Sequence, residues 1–269
     1  MTFELPGRLV LLGHPVAHSL SPRFQNAALK AAGIGLTYEA IDVAPGDIAR
    51  LAGLLRETRA AGNVTVPHKE AFAACCGRLS PVAQRAGAVN TFWTEDGELV
   101  GDNTDIGGFD AAVRATVGVP ESPCVVAVIG AGGAATGVLA AIERWEGAKA
   151  TVCARTMTRA EQLVSRYSRF ARAEWSLEAA VAGADLVVNA TPLGLDGTEL
   201  PVNPALLGAS TRAFDLTYRR EGTPWVLACR ARGLAASDGL PMLIEQGALA
   251  FERWFGFEPD REVMREACR

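Results

Sequence analysis

The sequence has little of what a metal site or a disulfide framework needs. It contains three histidines and six cysteines in 269 residues, with no C-x-x-C pair and no histidine cluster near a cysteine. Zinc sites and small disulfide-linked scaffolds depend on such spacings, so we expect no bound metal. The simpler interpretation is that the cysteines are free thiols, buried or without a function, in a reducing compartment. These are Cys75, Cys76, Cys124, Cys153, Cys229 and Cys268.

An excess of basic charge is also absent. The formal net charge is -4, so no basic field would attract nucleic acid, and we expect no nucleic-acid partner. The first residues, M-T-F-E-L-P-G-R, lack the basic start and apolar core of a signal peptide, which favours the cytoplasm. Residues 124–142 carry no charged side chain and could in length span a membrane, but their four glycines argue against that.

Size and composition favour a globular enzyme of two domains. The chain is 49% hydrophobic and 21% charged, and no internal repeat or low-complexity linker interrupts it. At this length a chain buries roughly three quarters of the surface that it exposes when unfolded. We therefore expect a sizeable core in each of two domains.

One stretch in the middle of the chain has the pattern of a βαβ unit. The apolar, β-branched run Cys124–Ile129 predicts a strand buried on both faces, and it leads directly into G-A-G-G-A-A at 130–135. A helix over 134–145 and a second strand over 149–154 follow. Such a glycine fingerprint is weak alone, because glycine clusters also end ordinary strands, but these flanking elements favour dinucleotide binding.

Each small residue of this turn has a separate task in a dinucleotide site. Gly130 can make the tight turn, and Gly132 lets the backbone approach a pyrophosphate. Ala135 keeps the following helix close to the sheet, with its N-terminal N–H groups facing the phosphates.

The end of the second strand favours NADP over NAD. An NAD site would carry Asp or Glu there for the ribose 2′-hydroxyl, but this chain has Ala154. Arg155, Thr156 and Arg159 follow, and guanidinium groups suit a 2′-phosphate because they offer planar, bidentate donors. The alternative is a solvated helix face, which is our interpretation of the later arginines. These are Arg166, Arg169 and Arg172.

Two hydroxyls follow the first strand of the chain. Ser19 and Ser21 come after the apolar strand Leu9–Leu12, and Pro22 is placed to open a helix. Ser21 alone would suit the N-cap of that helix. The pair, at the carboxyl end of a strand, would instead suit a ligand-binding loop.

A second polar group lies in N-V-T-V-P-H-K at 63–69. Asn63 and Thr65 are two apart on a strand, so they point to the same face, and Pro67 stops the strand before Lys69. A lysine is ordinarily a solvated surface charge. Its place just beyond a strand end, beside two polar residues, makes this one a candidate site residue.

Further candidates lie in the later segments. A hairpin is predicted, with a first strand over Gly87–Trp93 that contains Asn90, a turn at Asp96-Gly97 and a second strand over 98–100. In G-D-N-T-D at 101–105, the preferred interpretation of Asp102 is a turn with a helix cap. Gln246 stands among apolar neighbours of a helix, where it is either a satisfied polar group in a packing seam or a side chain pointing into a cleft.

Taken together, these motifs resemble shikimate dehydrogenases over essentially the whole chain. Each motif is modest alone, but their order is specific. They are H-S-L-S-P at 18–22, N-V-T-V-P-H-K at 63–69, G-A-V-N-T at 87–91, G-D-N-T-D at 101–105, G-A-G-G-A at 130–134, R-T-M-T-R at 155–159, N-A-T-P-L-G at 189–194, D-L-T-Y at 215–218 and D-G-L-P-M-L-I-E-Q at 238–246.

The resemblance implies an α/β protein that reversibly reduces 3-dehydroshikimate to shikimate with NADPH, in aromatic amino acid and chorismate biosynthesis. It implies an N-terminal α/β substrate domain with a mainly parallel sheet, over 1–104, completed by C-terminal helices at 239–269 that pack back on it. A Rossmann NADP-binding domain would span 105–238. The expected partner is a small-molecule substrate, and the expected oligomeric state is a monomer or homodimer.

The same resemblance implies a set of site residues. Lys69 and Asp105 would form the catalytic pair. Around the substrate it implies Ser19, Ser21, Asn63, Thr65, Lys69, Asn90, Asp105, Tyr218 and Gln246. For the cofactor it implies Gly130, Ala131, Gly132, Gly133, Ala134, Arg155, Thr156 and Arg159, with Thr191, Gly239 and Met242 near the nicotinamide.

Two positions depart from the family pattern. Ala154 stands where Asn is frequent, which we expect to weaken an adenosine contact while both arginines remain. His68 stands where an apolar residue is common, and no role is predicted for it. The alternatives are a quinate or dual quinate/shikimate dehydrogenase using NAD, and a catalytically silent nucleotide-sensing protein on the same scaffold.

Overall fold

The structure, a computed structural model, describes residues 5–269 and divides them into two units. One unit runs to Gly108 and resumes over Leu243–Arg269, and the other is Phe109–Met242. The sequence-based boundaries at 104 and 238 fall just before these positions. The carboxylate of Asp105 thus belongs to the same unit as Lys69.

The first unit is built on a six-stranded sheet in the order β2-β1-β3-β5-β6-β4. Strand β1 is parallel to β2 and β3, β4 is parallel to β6, and β5 is antiparallel to both of its neighbours. The strands are β1 Arg8–Gly13, β2 Tyr38–Asp42, β3 Ala60–Val64, β4 Arg78–Leu79, β5 Thr91–Glu95 and β6 Glu98–Asp102.

Within residues 5–269, seven α-helices belong wholly or partly to this unit. Helix α5 continues from it into the second unit, and α10 returns to it. Their bounds are α1 Ser21–Ala31, α2 Ile48–Glu57, α3 Lys69–Ala73, α4 Pro81–Ala86, α5 Thr104–Thr116, α10 Leu240–Phe255 and α11 Arg261–Glu266.

Local sequence signals explain two of the connections. The hairpin between β5 and β6 turns at Asp96 and Gly97, both at positive φ, as the D-G pair predicts. Helix α4 begins after Ser80, whose hydroxyl accepts the N–H of Ala83, and it ends at Gly87 with φ at 66°. Gly87 therefore caps a helix, and the prediction that it opens the hairpin strand is wrong.

The C-terminal helices pack on the first sheet, as predicted. The indole N–H of Trp254 donates to the carbonyl of Phe92 at 3.1 Å, and the Arg253 guanidinium donates to Asp102 at 2.8 Å. These contacts anchor α10 to β5 and β6. The core of the unit lies beneath, formed by side chains such as Phe72 and Leu99, both fully buried.

The second unit is a fully parallel sheet in the order β12-β11-β10-β7-β8-β9. Numbered within the unit from β7, this is the strand order 3-2-1-4-5-6 of the Rossmann fold, whose ligands bind beyond the carboxyl ends of the strands. The strands are β7 Val125–Ile129, β8 Lys149–Cys153, β9 Ala171–Ala173, β10 Leu186–Asn189, β11 Arg212–Asp215 and β12 Ala236–Ser237. The helices between them are α6 Gly133–Ile142, α7 Met157–Ser165, α8 Leu177–Val181 and α9 Pro224–Ala231.

The uncharged stretch at 124–142, which includes β7, contributes to the core of the second unit. Strand β7 lies between β8 and β10, and its residues from Val126 to Ile129 are buried. A central parallel strand is covered on both faces, which explains the absence of charge. Within residues 5–269, no helix has the length and apolar character needed to cross a membrane.

Candidate active site

Lys69 and Asp105 form an ion pair in the first unit. The Lys69 ammonium donates to Asp105 Oδ2 at 2.6 Å, and the two side chains are 27% and 18% exposed. Lys69 is the first residue of α3, and Asp105 lies in the first turn of α5. Two helix starts thus bring together a cation and an anion that are 36 residues apart in sequence. Because its side chain is partly buried, Lys69 is not the fully solvated surface charge that lysines usually are.

Asn90 holds the other side of this carboxylate. Its Nδ2 donates to Asp105 Oδ1 at 2.8 Å, and it lies 3.0 Å from Thr104 Oγ1 and 3.3 Å from Gln246 Oε1. Its Oδ1 accepts the backbone N–H of Thr104 at 2.7 Å, one of the free donors at the start of α5. One buried amide therefore fixes both Asp105 and the helix that carries it.

A buried hydrogen-bond chain extends from this point into the sheet. Tyr38 donates to Asn63 Oδ1 at 2.8 Å, and Asn63 Nδ2 donates to Thr91 Oγ1 at 2.8 Å. The hydroxyl of Thr91 lies 3.0 Å from that of Thr104, which donates to Asn90. We call these five residues, together with Lys69 and Asp105, the first-unit network. Burial of Tyr38 raises its pKa well above 10.0, so its hydroxyl remains a donor.

Tyr38, Thr91 and Thr104 were not among the predicted site residues. Asn63 pairs with Thr91 across β3 and β5, and Thr91 pairs with Asp102 across β5 and β6. The hydroxyls meet because of this register. Period-two alternation could have placed Thr91 on a face of its strand, but it gives no pairing register.

Gln246 reaches this group from α10. It is buried, and its Nε2 donates to the carbonyl of Leu243 at 2.7 Å while its Oε1 faces Asn90. Gly108 of α5 permits the approach, because a Cβ there would lie 2.6 Å from the Gln246 Cβ. Both ends of its amide thus have partners, as expected of a satisfied polar group in a packing seam. That this side chain points into a cleft stays a prediction.

Thr65 directly follows β3, Ser19 lies in the connection between β1 and α1, and Ser21 is the first residue of α1. Helix α1 begins at Ser21 after Leu20, without a side-chain cap, so the N-cap interpretation of Ser21 is wrong. The Ser19 hydroxyl instead accepts the N–H of Ser21 at 3.2 Å. A Cβ at Gly13 would lie 2.4 Å from the Thr65 methyl, which places Thr65 against the end of β1.

Asp102 and His68 have structural contacts beside the network. Asp102 is buried, accepts the Ser80 hydroxyl and the Asn103 N–H, and pairs with Arg253 of α10. It therefore anchors a helix as well as a turn, and it caps no helix start. His68 is 1% exposed, with Nε2 2.7 Å from the carbonyl of Val43.

The glycine turn of the second unit is open. Gly130 has φ at 115°, and a Cβ there would lie 2.7 Å from the carbonyl oxygen of Ala190, so only glycine fits. At Gly132 and Gly133 an added Cβ would meet nothing within 4 Å. Helix α6 starts at Gly133 without a side-chain cap. Free N–H donors beside open space fit a pyrophosphate. Ala131 lies in the same turn, and Ala134 lies in the first turn of α6.

The residues after β8 fit a 2′-phosphate. Arg155, Thr156 and Arg159 are exposed, and neither arginine side chain has a hydrogen bond or ion pair with any residue in 5–269. Ala154 adds no negative charge. Unpaired guanidinium groups next to a parallel strand end are a suitable donor set for a phosphate dianion.

The ends of β10 and β11 form a second buried polar cluster. Asp215 Oδ1 accepts Asn189 Nδ2 and the Thr217 hydroxyl, both at 2.8 Å, and its Oδ2 accepts the Thr223 hydroxyl at 2.7 Å. Burial raises the pKa of this fully buried Asp215 carboxyl, although these hydrogen bonds oppose the rise. Thr191, predicted near the nicotinamide, donates its hydroxyl to Asn189 at 2.6 Å.

The remaining predicted residues also belong to the second unit. Gly239 donates its N–H to the carbonyl of Thr217 at 2.9 Å, and a Cβ there would lie 2.3 Å from the Leu216 oxygen. Tyr218 and Met242 are partly buried. Within residues 5–269, no group of three or more His, Cys, Asp or Glu side chains is placed to bind a metal ion.

Comparison with known proteins identifies the family. Residues 11–92 match the model of the shikimate dehydrogenase substrate binding domain, and residues 239–269 match that of the shikimate 5'-dehydrogenase C-terminal domain. A protein of Rubrobacter xylanophilus named shikimate dehydrogenase (NADP(+)) is 43% identical, over 96% of this chain and 93% of that protein. The chain belongs to the shikimate dehydrogenase family.

Solved structures of shikimate dehydrogenases and related enzymes share the whole fold. The Thermus thermophilus shikimate 5-dehydrogenase, in complex with NADP(H) and shikimate, is 41% identical with a TM-score of 0.89, covering 97% of this chain and 98% of that one. A quinate dehydrogenase of Corynebacterium glutamicum, in complex with NAD, is 27% identical with a TM-score of 0.88, covering 97% of each chain. This quinate dehydrogenase, in complex with NAD, therefore has the same fold.

Proposed function

We propose that the chain catalyses the reversible NADPH-dependent reduction of 3-dehydroshikimate to shikimate. The observation that carries this proposal is the Lys69–Asp105 ion pair at 2.6 Å, held by Asn90 in a member of the shikimate dehydrogenase family. A catalytically silent nucleotide sensor would have no use for a partly buried ammonium that is oriented by a carboxylate. The names of the relatives and the ligands of the Thermus structure support the same reaction.

Lys69 is the proposed general acid of the reduction. NADPH supplies the hydride to the ring carbonyl carbon, and negative charge develops on the carbonyl oxygen. The Lys69 ammonium can stabilise that charge and transfer a proton to the oxygen, and in the oxidation the neutral amine takes the proton back. Asp105 orients the amine through its Oδ2, and Asn90 keeps the carboxylate in place.

The hydrogen bonds already made in the first unit indicate which groups remain for the substrate. Asn63 uses both amide hydrogens, on Thr91 and on the carbonyl of Asn90, so we propose that it mainly supports the site. The Lys69 ammonium keeps two of its three N–H donors. The hydroxyls of Ser19, Ser21 and Thr65 at neighbouring strand ends supply further groups for the substrate's own hydroxyls and carboxylate. We propose the same task for Tyr218 and Gln246.

The second unit is the proposed NADP site. Its turn at 130–134 would hold the pyrophosphate, and Arg155, Thr156 and Arg159 would hold the 2′-phosphate. We assign Thr191, Gly239 and Met242 to the nicotinamide end. No acidic residue stands at 154–156, and the guanidinium groups of Arg155 and Arg159 have no partner among residues 5–269. Both observations favour NADP over NAD.

An assay matrix tests the proposal. Shikimate and quinate are each oxidised with NADP and with NAD, and the absorbance of the reduced nicotinamide is followed. We expect the highest kcat/KM for shikimate with NADP. A preference for quinate with NAD would assign the chain to the quinate-acting alternative, and no turnover in any combination would favour a nucleotide-sensing protein.

A further inference from the structure

Trp175 is more exposed than any other large hydrophobic side chain in residues 5–269. Its relative exposure is 76%, and it lies in the short connection between β9 and α8. The indole has no hydrogen bond or ring contact with another described residue. Exposing an aromatic side chain of this size forgoes the free energy that its burial would contribute.

The backbone around this indole is fixed. The N–H of Glu174 donates to the carbonyl of Val152 at 2.9 Å, which extends the β8–β9 ladder. The Glu174 carboxylate accepts the N–H groups of Trp175 and Ser176 at 2.8 and 3.3 Å, and the Ser176 hydroxyl caps α8. The indole therefore projects from a hydrogen-bonded loop, and its exposure does not come from a loose chain.

This loop adjoins the proposed 2′-phosphate site. Strands β8 and β9 are parallel neighbours, with Val152 paired to Ala173, so their carboxyl ends meet at one edge of the sheet. The Cys153 sulfur, at the end of β8, lies 4.0 Å from the carbonyl oxygen of Trp175. Arg155 follows Cys153 by two positions. Three neighbouring strand ends thus carry the glycine turn, the arginine pair and the indole, in that order across the sheet.

We propose that Trp175 stacks on the adenine of NADP(H) and forms one wall of the base subsite. The inference rests on the proposed NADP site. In the dinucleotide, the pyrophosphate leads to the ribose that carries the 2′-phosphate, and the adenine is attached to that same ribose. The ligand order therefore matches the order of the three strand ends. An indole face suits a base, because adenine presents a π-face and few groups that demand a charged partner.

Adenosine 2′,5′-bisphosphate tests the proposal, because it carries the base and the 2′-phosphate but no nicotinamide. Its affinity is measured by isothermal titration calorimetry for the parent and for Trp175→Ala, Trp175→Phe and Leu227→Ala. Leu227 is the control, since it is another exposed apolar side chain of the second unit, on α9. We expect Trp175→Ala to weaken binding about tenfold, Trp175→Phe to weaken it less than about threefold, and Leu227→Ala to leave it unchanged.

Tryptophan fluorescence gives an independent readout. The bisphosphate should quench part of the emission of the parent, and Trp175→Phe should abolish that quenching while binding persists. Circular dichroism checks that each variant is folded. Equal affinity of Trp175→Ala and the parent, or equal quenching in Trp175→Phe, would overturn the stacking proposal and leave the proposed function intact. A parent that neither binds the bisphosphate nor oxidises shikimate would overturn both.

Discussion

The two units prepare their sites in opposite ways. In the first unit, the network from Tyr38 to Lys69 is closed: nearly every amide and hydroxyl already has a partner in the protein. In the second unit, the turn at Gly132 faces open space, and the side chains of Arg155 and Arg159 have no hydrogen-bond or ion-pair partner among residues 5–269. One site is organised by its own side chains, and the other offers unsatisfied donors.

The difference follows from what each site must do. A general acid has to be held within hydrogen-bond reach of one oxygen, so its support must be rigid before the substrate arrives. A phosphate site instead gains affinity from backbone N–H groups and cations that the ligand itself satisfies. Substitutions in the first unit should therefore act mainly on kcat, and substitutions in the second unit mainly on cofactor affinity.

The largest expected effect is that of Lys69→Ala. Removing the proton donor should lower kcat by about two to four orders of magnitude with little change in KM, because the lost interaction forms chiefly in the transition state. Steady-state kinetics with shikimate and NADP measure it. Lys30→Ala, at an exposed position near the end of α1, is the matched control and should retain full activity. An unchanged kcat for Lys69→Ala would remove this amine from the mechanism.

The next effect tests the open site. The double substitution Arg155→Gln and Arg159→Gln should raise the KM for NADP by roughly 10- to 100-fold, which corresponds to about 0.7–1.4 kcal/mol for each guanidinium group. This is less than the roughly 1.5–3 kcal/mol of a typical hydrogen bond to a charged group, because both arginines are exposed to solvent. The KM for NAD and the kcat should change little. Arg169→Gln, an exposed arginine outside this strand end, is the control. A parallel loss with NAD and NADP would show that the pair does not read the 2′-phosphate.

A smaller effect is expected at the far end of the first-unit network. Tyr38→Phe keeps the ring against Trp254 but leaves the buried Asn63 Oδ1 without its tyrosine donor. We expect a loss of about 1–2 kcal/mol in the free energy of unfolding, measured in urea, and a several-fold fall in kcat/KM.

The second unit supplies the control for that experiment. Tyr167 is also a buried tyrosine, at 1% exposure, but it lies outside the first-unit network. Tyr167→Phe should leave kcat/KM unchanged. If both tyrosine variants have the same kcat/KM, the position of Asp105 does not depend on the hydrogen bond between Tyr38 and Asn63.

Sequence patterns predicted the parts of the molecule that depend on local order. The strand at 124–129, the glycine turn and the helix after it appear as β7, the Gly130 turn and α6, because apolar periodicity and positive-φ glycine are local properties. The D-G turn between β5 and β6 has the same explanation. The pairing of Lys69 with Asp105 was implied by family resemblance only.

Contacts that depend on strand register could not be predicted. Tyr38 on β2 reaches Asn63 on β3 because both strands flank β1, and Thr91 and Thr104 join the network because β3, β5 and β6 pair as they do. Ser21 illustrates a second limit, since a serine before a proline suits an N-cap, yet here the helix starts one position earlier and the serine is its first residue. The chemical type of a residue predicts a candidate role, but it does not predict which residues of other strands and helices that side chain contacts.

The smallest effect concerns the carboxylates of the two units. Asp105 faces an ammonium, whereas Asp215 is fully buried among neutral donors, and burial raises the pKa of Asp215 above 3.8. A raised pKa means that the folded state binds this proton more tightly than the unfolded state. The stability contributed by the group is therefore present in full below pH 3.8 and is lost as the pH rises through the folded-state pKa.

Asp215→Asn removes this titration while nearly conserving shape. Unfolding free energies of the parent and the variant, measured in urea at pH 4.5 and pH 7, give a difference at each pH. That difference should move in favour of the variant at the higher pH, because only the parent must hold a buried charge there. Movement towards the parent would mean that the donors from Asn189, Thr217 and Thr223 outweigh burial. The carboxylate would then be stabilised as an anion, and the contrast between the two units would fail at this position.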